Sequence, residues 1–197
     1  VSPDAAMIMQ VTYKDEVEDV QNVGYDHYAT LENVNKLLSE TFFEGAATEE
    51  KSDYTYNYKG AKGSETVRNT QVNFYGKNKD YRATEGAIGP DDEMTRQVTF
   101  KNDLDEDELN ILKTSLETLD TAINQALINN KVLSETWFAG EVSEEKSDYT
   151  FNYKGAANEP QSVRNTQINF YENQKRAWQV SPDAAMIMQV TYKDEVE

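Results

Sequence analysis

The side chains that could do chemistry here form a short and lopsided set. The chain of 197 residues has no cysteine and one histidine, His27. Disulfides, thiolate zinc sites and thiol nucleophiles are therefore excluded together. One histidine cannot build a multi-histidine metal centre, and it leaves little for a nucleophile–histidine–acid triad. Carboxylates are abundant, 36 Asp plus Glu against 19 Lys plus Arg. In such a chain some acidic pair always lies near another, so proximity alone does not argue for acid–base catalysis. The stretch 60–66, GAKGSET, lacks the spacing and the Gly-Lys-Ser/Thr ending of a phosphate loop. No constellation points to an enzyme, and the expectation is a non-enzymatic protein.

Two groups remain. Asp103, Asp105 and Asp107 alternate within 102–108, as oxygen ligands do at the start of a calcium loop. An EF-hand requires Gly at the sixth place and Glu at the twelfth, where this chain has Glu108 and Thr114. The three aspartates are thus candidate calcium ligands at a domain junction, outside that motif. The plainer reading is a helix start, where negative charge suits the dipole. The second group is Arg68 with Asn69 and Arg164 with Asn165, each followed by Thr and Gln. An exposed Arg beside amides could hold a carboxylate or a sugar acid. A strand-face ion pair on a solvated sheet explains the same residues. Calcium is the one cofactor that the sequence raises.

Charge narrows the partners. The formal net charge is -17, the opposite of the basic footprint that a nucleic-acid backbone needs. It also disfavours an anionic membrane surface. No run approaches the roughly 18 apolar residues of a membrane span. The opening residues show no charged-then-apolar leader. The chain begins within a strand-like pattern, which suggests a piece of a longer protein.

The elements that position these residues are set by repetition, which is read first where it exists. EEKSDYTYNYKG at 49–60 recurs as EEKSDYTFNYKG at 144–155. KLLSETFFEG (36–45) matches KVLSETWFAG (131–140), and TVRNTQVNFY (66–75) matches SVRNTQINFY (162–171). GPDDEMTRQVTF (89–100) matches SPDAAMIMQVTY (181–192), and each copy lies 92 to 96 residues after its counterpart. The chain is two copies of one unit, 1–103 and 104–197. A longer period overlies this one: residues 1–18 recur unchanged at 180–197, an offset of 179. A large repeat holding two related units explains both periods, with the strand in 1–18 shared with a preceding repeat. A copy of the first strand placed deliberately at the C-terminus gives the same pattern.

Each unit reads as strand, helix, strand, strand. Met7, Met9, Val11 and Tyr13 alternate with polar residues, and 94–100 and 186–192 repeat that strand. In the second unit Leu109, Leu112, Leu116, Leu119, Ile123, Ala126 and Leu127 recur at helical spacing. In the first the stripe is shorter: Tyr28, Leu31, Val34 and Leu38. Both helices are expected to end near Gly45 and Gly140. Tyr54, Tyr56 and Tyr58 then start a hairpin that returns through Thr70, Val72 and Phe74. A further short strand is expected within 77–82. The expected fold class is α+β: two tandem related domains, each a helix packed on a small antiparallel β-sheet.

These features point to a structural repeat segment of a long tandem array, extracellular or on a cell surface, serving as a stalk, adhesin or fibre subunit. Its partners would be neighbouring repeats of the same chain or identical chains, linked by shared or exchanged strands. A glycan- or protein-binding module and a virion or phage-tail structural protein are the alternatives.

Overall fold

The computed structural model describes residues 5–17, 35–77, 81–84, 86–112, 131–156 and 162–194. Its strands are β1 (Met9–Tyr13), β2 (Leu37–Glu44), β3 (Lys51–Lys59), β4 (Thr66–Tyr75), β5 (Tyr81–Arg82), β6 (Met94–Lys101), β7 (Val132–Ala139), β8 (Lys146–Lys154), β9 (Ser162–Tyr171) and β10 (Met186–Lys193). One sheet holds them all in the order β1-β2-β3-β4-β6-β7-β8-β9-β10, with the short β5 paired to β4. Every strand pairing is antiparallel. The sheet runs unbroken across the boundary between 1–103 and 104–197.

This corrects the α+β expectation. The protein is nearly all β, and among the described residues the one α-helix is α1 (Glu106–Ile111). The segments before Gly45 and Gly140, expected to close helices, are the strands β2 and β7. The reason lies in Thr41, Phe42 and Phe43 and their counterparts Thr136, Trp137 and Phe138. β-Branched and aromatic side chains lose rotamer freedom in a helix and pack well on a pleated surface. Leu38, placed at the end of a helical stripe, is a residue of β2. Of the longer stripe, Leu109 lies in α1 and Leu112 caps its end. Leu116, Leu119, Ile123, Ala126, Leu127, Tyr28, Leu31 and Val34 lie outside the described residues, as does His27.

Gly45 and Gly140 open the β2-β3 and β7-β8 turns. Their φ angles are +123° and +137°. A Cβ at either position would come within 2.7 Å of the carbonyl oxygen of Glu49 or Glu144, so only glycine fits. The expected hairpin of β3 and β4 is present, with Tyr54 opposite Val72. The short strand expected within 77–82 is β5.

Pairing register separates the two faces of the sheet. Met9, Phe42, Tyr54, Val72, Val98, Glu135, Phe151, Thr166 and Tyr192 lie opposite one another in turn, one from each strand except β5. This is the apolar face. Its centre is the core, where Val72, Phe74, Val98, Phe100 and Val132 meet Leu104, Leu109 and Leu112 from the α1 segment. Full burial of each such side chain contributes about 1.5–3 kcal/mol. Strands from both units supply this core, so the units are not two separate cores joined by a linker.

Candidate functional site

Without a catalytic set, the sites to weigh are the predicted ligand groups, the polar face and the two ends of the sheet. The polar face is the other side of every strand. Gln10, Thr41, Thr55, Gln71, Thr99, Ser134, Asn152 and Asn165 form one row across eight strands, each residue opposite the next. Asn73, Gln97, Thr136, Thr150, Gln167 and Thr191 form the row beside it. Hydroxyls and amides bridge the strands: Thr41 to Thr55 and Thr136 to Thr150, both at 3.0 Å. The Asn57 amide donates to Asn69 Oδ1 and the Asn152 amide to Asn165 Oδ1, both at 2.9 Å. Such cross-strand pairs each stabilise a sheet by about 0.2–1 kcal/mol.

The predicted residues now have places. Asn69 and Asn165 are acceptors within this amide ladder. Arg68 and Arg164 sit at the starts of β4 and β9 with exposed side chains. Their carbonyls accept from the backbone N–H of Asn102 and Asp194 at 3.0 and 3.1 Å. Arginine and asparagine are brought together as neighbours along each strand, and the two pairs lie on strands four positions apart in the sheet. Of the aspartates, Asp105 is the N-cap of α1. Its carboxylate accepts from Glu108 N–H at 2.9 Å, and Glu108 Oε2 accepts from the Asp105 N–H at 3.0 Å. This reciprocal cap is the helix-start role. Asp103 and Asp107 are exposed. Among the described residues no three His, Cys, Asp or Glu side chains gather closely enough to hold a metal ion.

Sequence reasoning missed a set of buried cations, one of them duplicated between the units. Arg82 donates through Nε to Asp53 Oδ1 at 3.0 Å and pairs through Nη2 with Asp53 Oδ2, while Nη1 donates to the carbonyl of Leu109. Arg82 and Asp53 are 2% and 1% exposed. The counterpart is Arg176 with Asp148, two bonds of 2.8 and 2.6 Å, and it is more open to solvent. Each guanidinium also faces a tyrosine ring, Tyr54 at 5.7 Å and Tyr149 at 5.8 Å. The repeat carried a signal for this pair. Arg-Ala stands at 82–83 and again at 176–177, each a few residues before a Pro-Asp pair. The remaining cation is Arg96, which donates to Glu135 at 2.7 Å and lies 4.6 Å from the Trp137 ring.

Lysines fasten the connector that leads into β6 and, in the second unit, β10. Lys51 Nζ donates to the carbonyls of Pro90 and Asp92 at 3.1 and 2.6 Å. Lys146 Nζ donates to the carbonyl of Ala184 at 2.9 Å. The approaches to β1 and β6 are held by glutamates. Met7 N–H donates to Glu50 Oε1 at 2.8 Å, and Met94 N–H donates to Glu145 Oε1 at 2.9 Å. The Met7 bond holds the Glu50 carboxyl below the usual carboxylate range. A cleft of about 600 Å³ lies beside the second connector, and its wall includes Trp178, Phe138, Lys77 and Lys146. Trp178 is 67% exposed.

The ends of the sheet are β1 and β10. Among the described residues each pairs on one side only. β6, their counterpart inside the sheet, pairs with β4 on one side and β7 on the other. β10 carries exposed apolar side chains in series: Met186, Ile187, Met188 and Tyr192, between 44% and 55% exposed. No helix among the described residues is long and apolar enough to cross a membrane. No family model, curated protein or solved structure matches the chain.

Proposed function

We propose that this chain is a non-enzymatic structural repeat segment of a tandem-array protein, a stalk, adhesin or fibre subunit on a cell surface or outside the cell. One observation carries the reading: the same strand occurs three times, and the internal copy, β6, joins the end of one unit to the start of the next by pairing on both edges. A chain built this way lengthens its sheet with every repeat, and each unit depends on its neighbours. The like charge of a -17 chain keeps a crowded array self-repelling.

Small-angle scattering of a tandem chain holding two 179-residue periods tests this. The maximum dimension should increase nearly in proportion to the number of repeats. A particle that merely becomes rounder would sink the proposal. The same measurement with calcium added tests Asp103, Asp105 and Asp107 as junction ligands, which requires a stiffer particle.

A second reading is a glycan- or protein-binding module. The exposure of Arg68 and Arg164 beside an uncharged amide and hydroxyl face favours it. Binding to an acidic-glycan array that disappears in an Arg68→Ala/Arg164→Ala variant would support it. Unchanged binding by that variant would exclude those residues.

A further inference from the structure

We infer that β10 of one chain docks on β2 of a second, identical chain in the place held by that chain's own β1. The inference rests on the repeat reading above and names the partner of its terminal strands. Residues 180–197 are identical to residues 1–18, so every side chain that β1 presents to β2 is present in β10. The fold already contains the required register. β1 places Met9 opposite Phe42, Gln10 opposite Thr41 and Val11 opposite Glu40. β6 meets β7 in the same way, with Arg96 opposite Trp137, Gln97 opposite Thr136 and Val98 opposite Glu135. In the exchanged pair Met188, Gln189 and Val190 take those positions, antiparallel as before.

Three features favour β10 as the occupant. β9 already orders β10 over the eight residues Met186–Lys193, whereas β1 is ordered over only the five residues Met9–Tyr13. β10 thus arrives preorganised, and the displaced β1 regains its chain entropy. Next, Met7 and Met94 each donate to a glutamate of a Glu-Glu-Lys-Ser block, so Met186, their match in β10, calls for the same acceptor. Glu50 of the second chain supplies it. Finally, the slot discriminates. Glu135 is held by Arg96, a residue that β10 replaces with Met188. Glu40 takes its hydrogen bond from the Tyr58 hydroxyl, so the β2 slot tolerates methionine. Exchange onto β2 therefore reproduces a native set of side-chain partners, whereas on β7 Met188 would stand where Arg96 pairs with Glu135.

The absence of cysteine permits a clean test in the full-length chain. A chain with Thr41→Cys is mixed with one carrying Gln189→Cys, warmed, cooled and oxidised. Both positions lie on the polar face of the sheet. A disulfide-linked heterodimer should exceed that from a Thr41→Cys and Lys193→Cys mixture by about tenfold or more, because correct register creates the high local concentration. The double variant Thr41→Cys/Gln189→Cys should give a ladder of higher species. Closing the slot first, with an internal Gln10→Cys/Thr41→Cys disulfide, should leave a monomer in sedimentation at every concentration. Equal yields from the two mixtures, or association of the locked chain, would overturn the exchange. The repeat reading fails separately, in the scattering of a covalent tandem chain.

Discussion

β6 and β10 are versions of one strand in two settings. In β6, Arg96, Val98 and Phe100 are at most 3% exposed. In β10 the matching Met188 and Tyr192 are each 44% exposed. Alternation assigns these residues to the same face in both strands. What differs is cover: β6 has a strand on each side and Leu104, Leu109 and Leu112 packed into the same core, whereas among the described residues β9 is the only strand that pairs with β10. A strand pattern therefore specifies a face, and neighbours decide whether that face becomes core. Truncation should expose the contrast most strongly. Phe100→Ala should cost about 3–5 kcal/mol, and Tyr192→Ala less than about 1 kcal/mol, typical of a surface change. Urea unfolding of the two variants measures the gap. Equal losses would mean that β10 is covered in solution.

The two aspartate–arginine pairs repeat the contrast with charge. Asp53 and Arg82 are sealed, and Arg82 also ties β5 to the carbonyl of Leu109. Asp148 and Arg176 keep side-chain exposures of 11% and 28%. Removing one member of a sealed pair strands the other in a dry site. Asp53→Ala should cost about 3–5 kcal/mol. Asp148→Ala should cost about 1–2 kcal/mol, since water reaches the abandoned Arg176. The double variant Asp53→Leu/Arg82→Met should recover much of the first loss. If it is worse than the single change, the pair is holding β5 rather than answering its own charges.

Arg96 is where β6 departs from β1 and β10, which carry methionine. Arg96→Met gives β6 the methionine of β1 and β10, leaving Thr95 and Phe100 as its remaining differences from them, and removes the cation from the buried Glu135. A loss of about 1–3 kcal/mol is expected, and Arg96→Met/Glu135→Gln should restore part of it. Full stability of the single variant would show that Glu135 does not depend on Arg96, and it would remove the preference of β10 for β2 over β7.

Much of this was legible because the chain says most things twice. The matched blocks located β3 and β4, and β8 and β9, by pairs, and period-two alternation separated Tyr54 and Val72 from Thr55 and Gln71. The helix expectation failed at a local ambiguity. Leu38 extends a helical stripe, and Leu133 is its counterpart in position. Only the Thr-aromatic-aromatic run that follows each of them argues for a strand. Strand partners decide such a segment, and partners are remote in sequence. The buried cations were hidden for the same reason. Asp53 and Arg82 are 29 residues apart, and nothing nearby in the chain shows that they meet. A register shift between β2 and β3 falls beside Asp53, and simple alternation does not foresee it. The terminal identity of 1–18 and 180–197, by contrast, was visible at once, since it needs no geometry.

The smallest effect concerns the tyrosine stripe, where the two units differ by one hydroxyl. Tyr56 donates to the Leu104 carbonyl at 2.6 Å, and its counterpart is Phe151. Tyr56→Phe copies the second unit into the first and should cost about 1 kcal/mol near neutrality. Its signature is sharper in alkali. Burial pushes the Tyr54 and Tyr75 hydroxyls up to about 12, and burial raises Tyr56 as well. A phenol whose folded pKa exceeds its unfolded value of about 10 keeps its proton in the folded state after the unfolded state has lost it. The stability it contributes is intact below about pH 10 and is lost as pH rises toward 12. The urea midpoint should therefore fall across that window in the unaltered chain. Tyr56→Phe removes one of the titrating groups, so its midpoint should fall less steeply there. An identical alkaline slope in both proteins would mean that the Tyr56 hydroxyl is hydrated and that the α1 segment does not seal this end of the stripe.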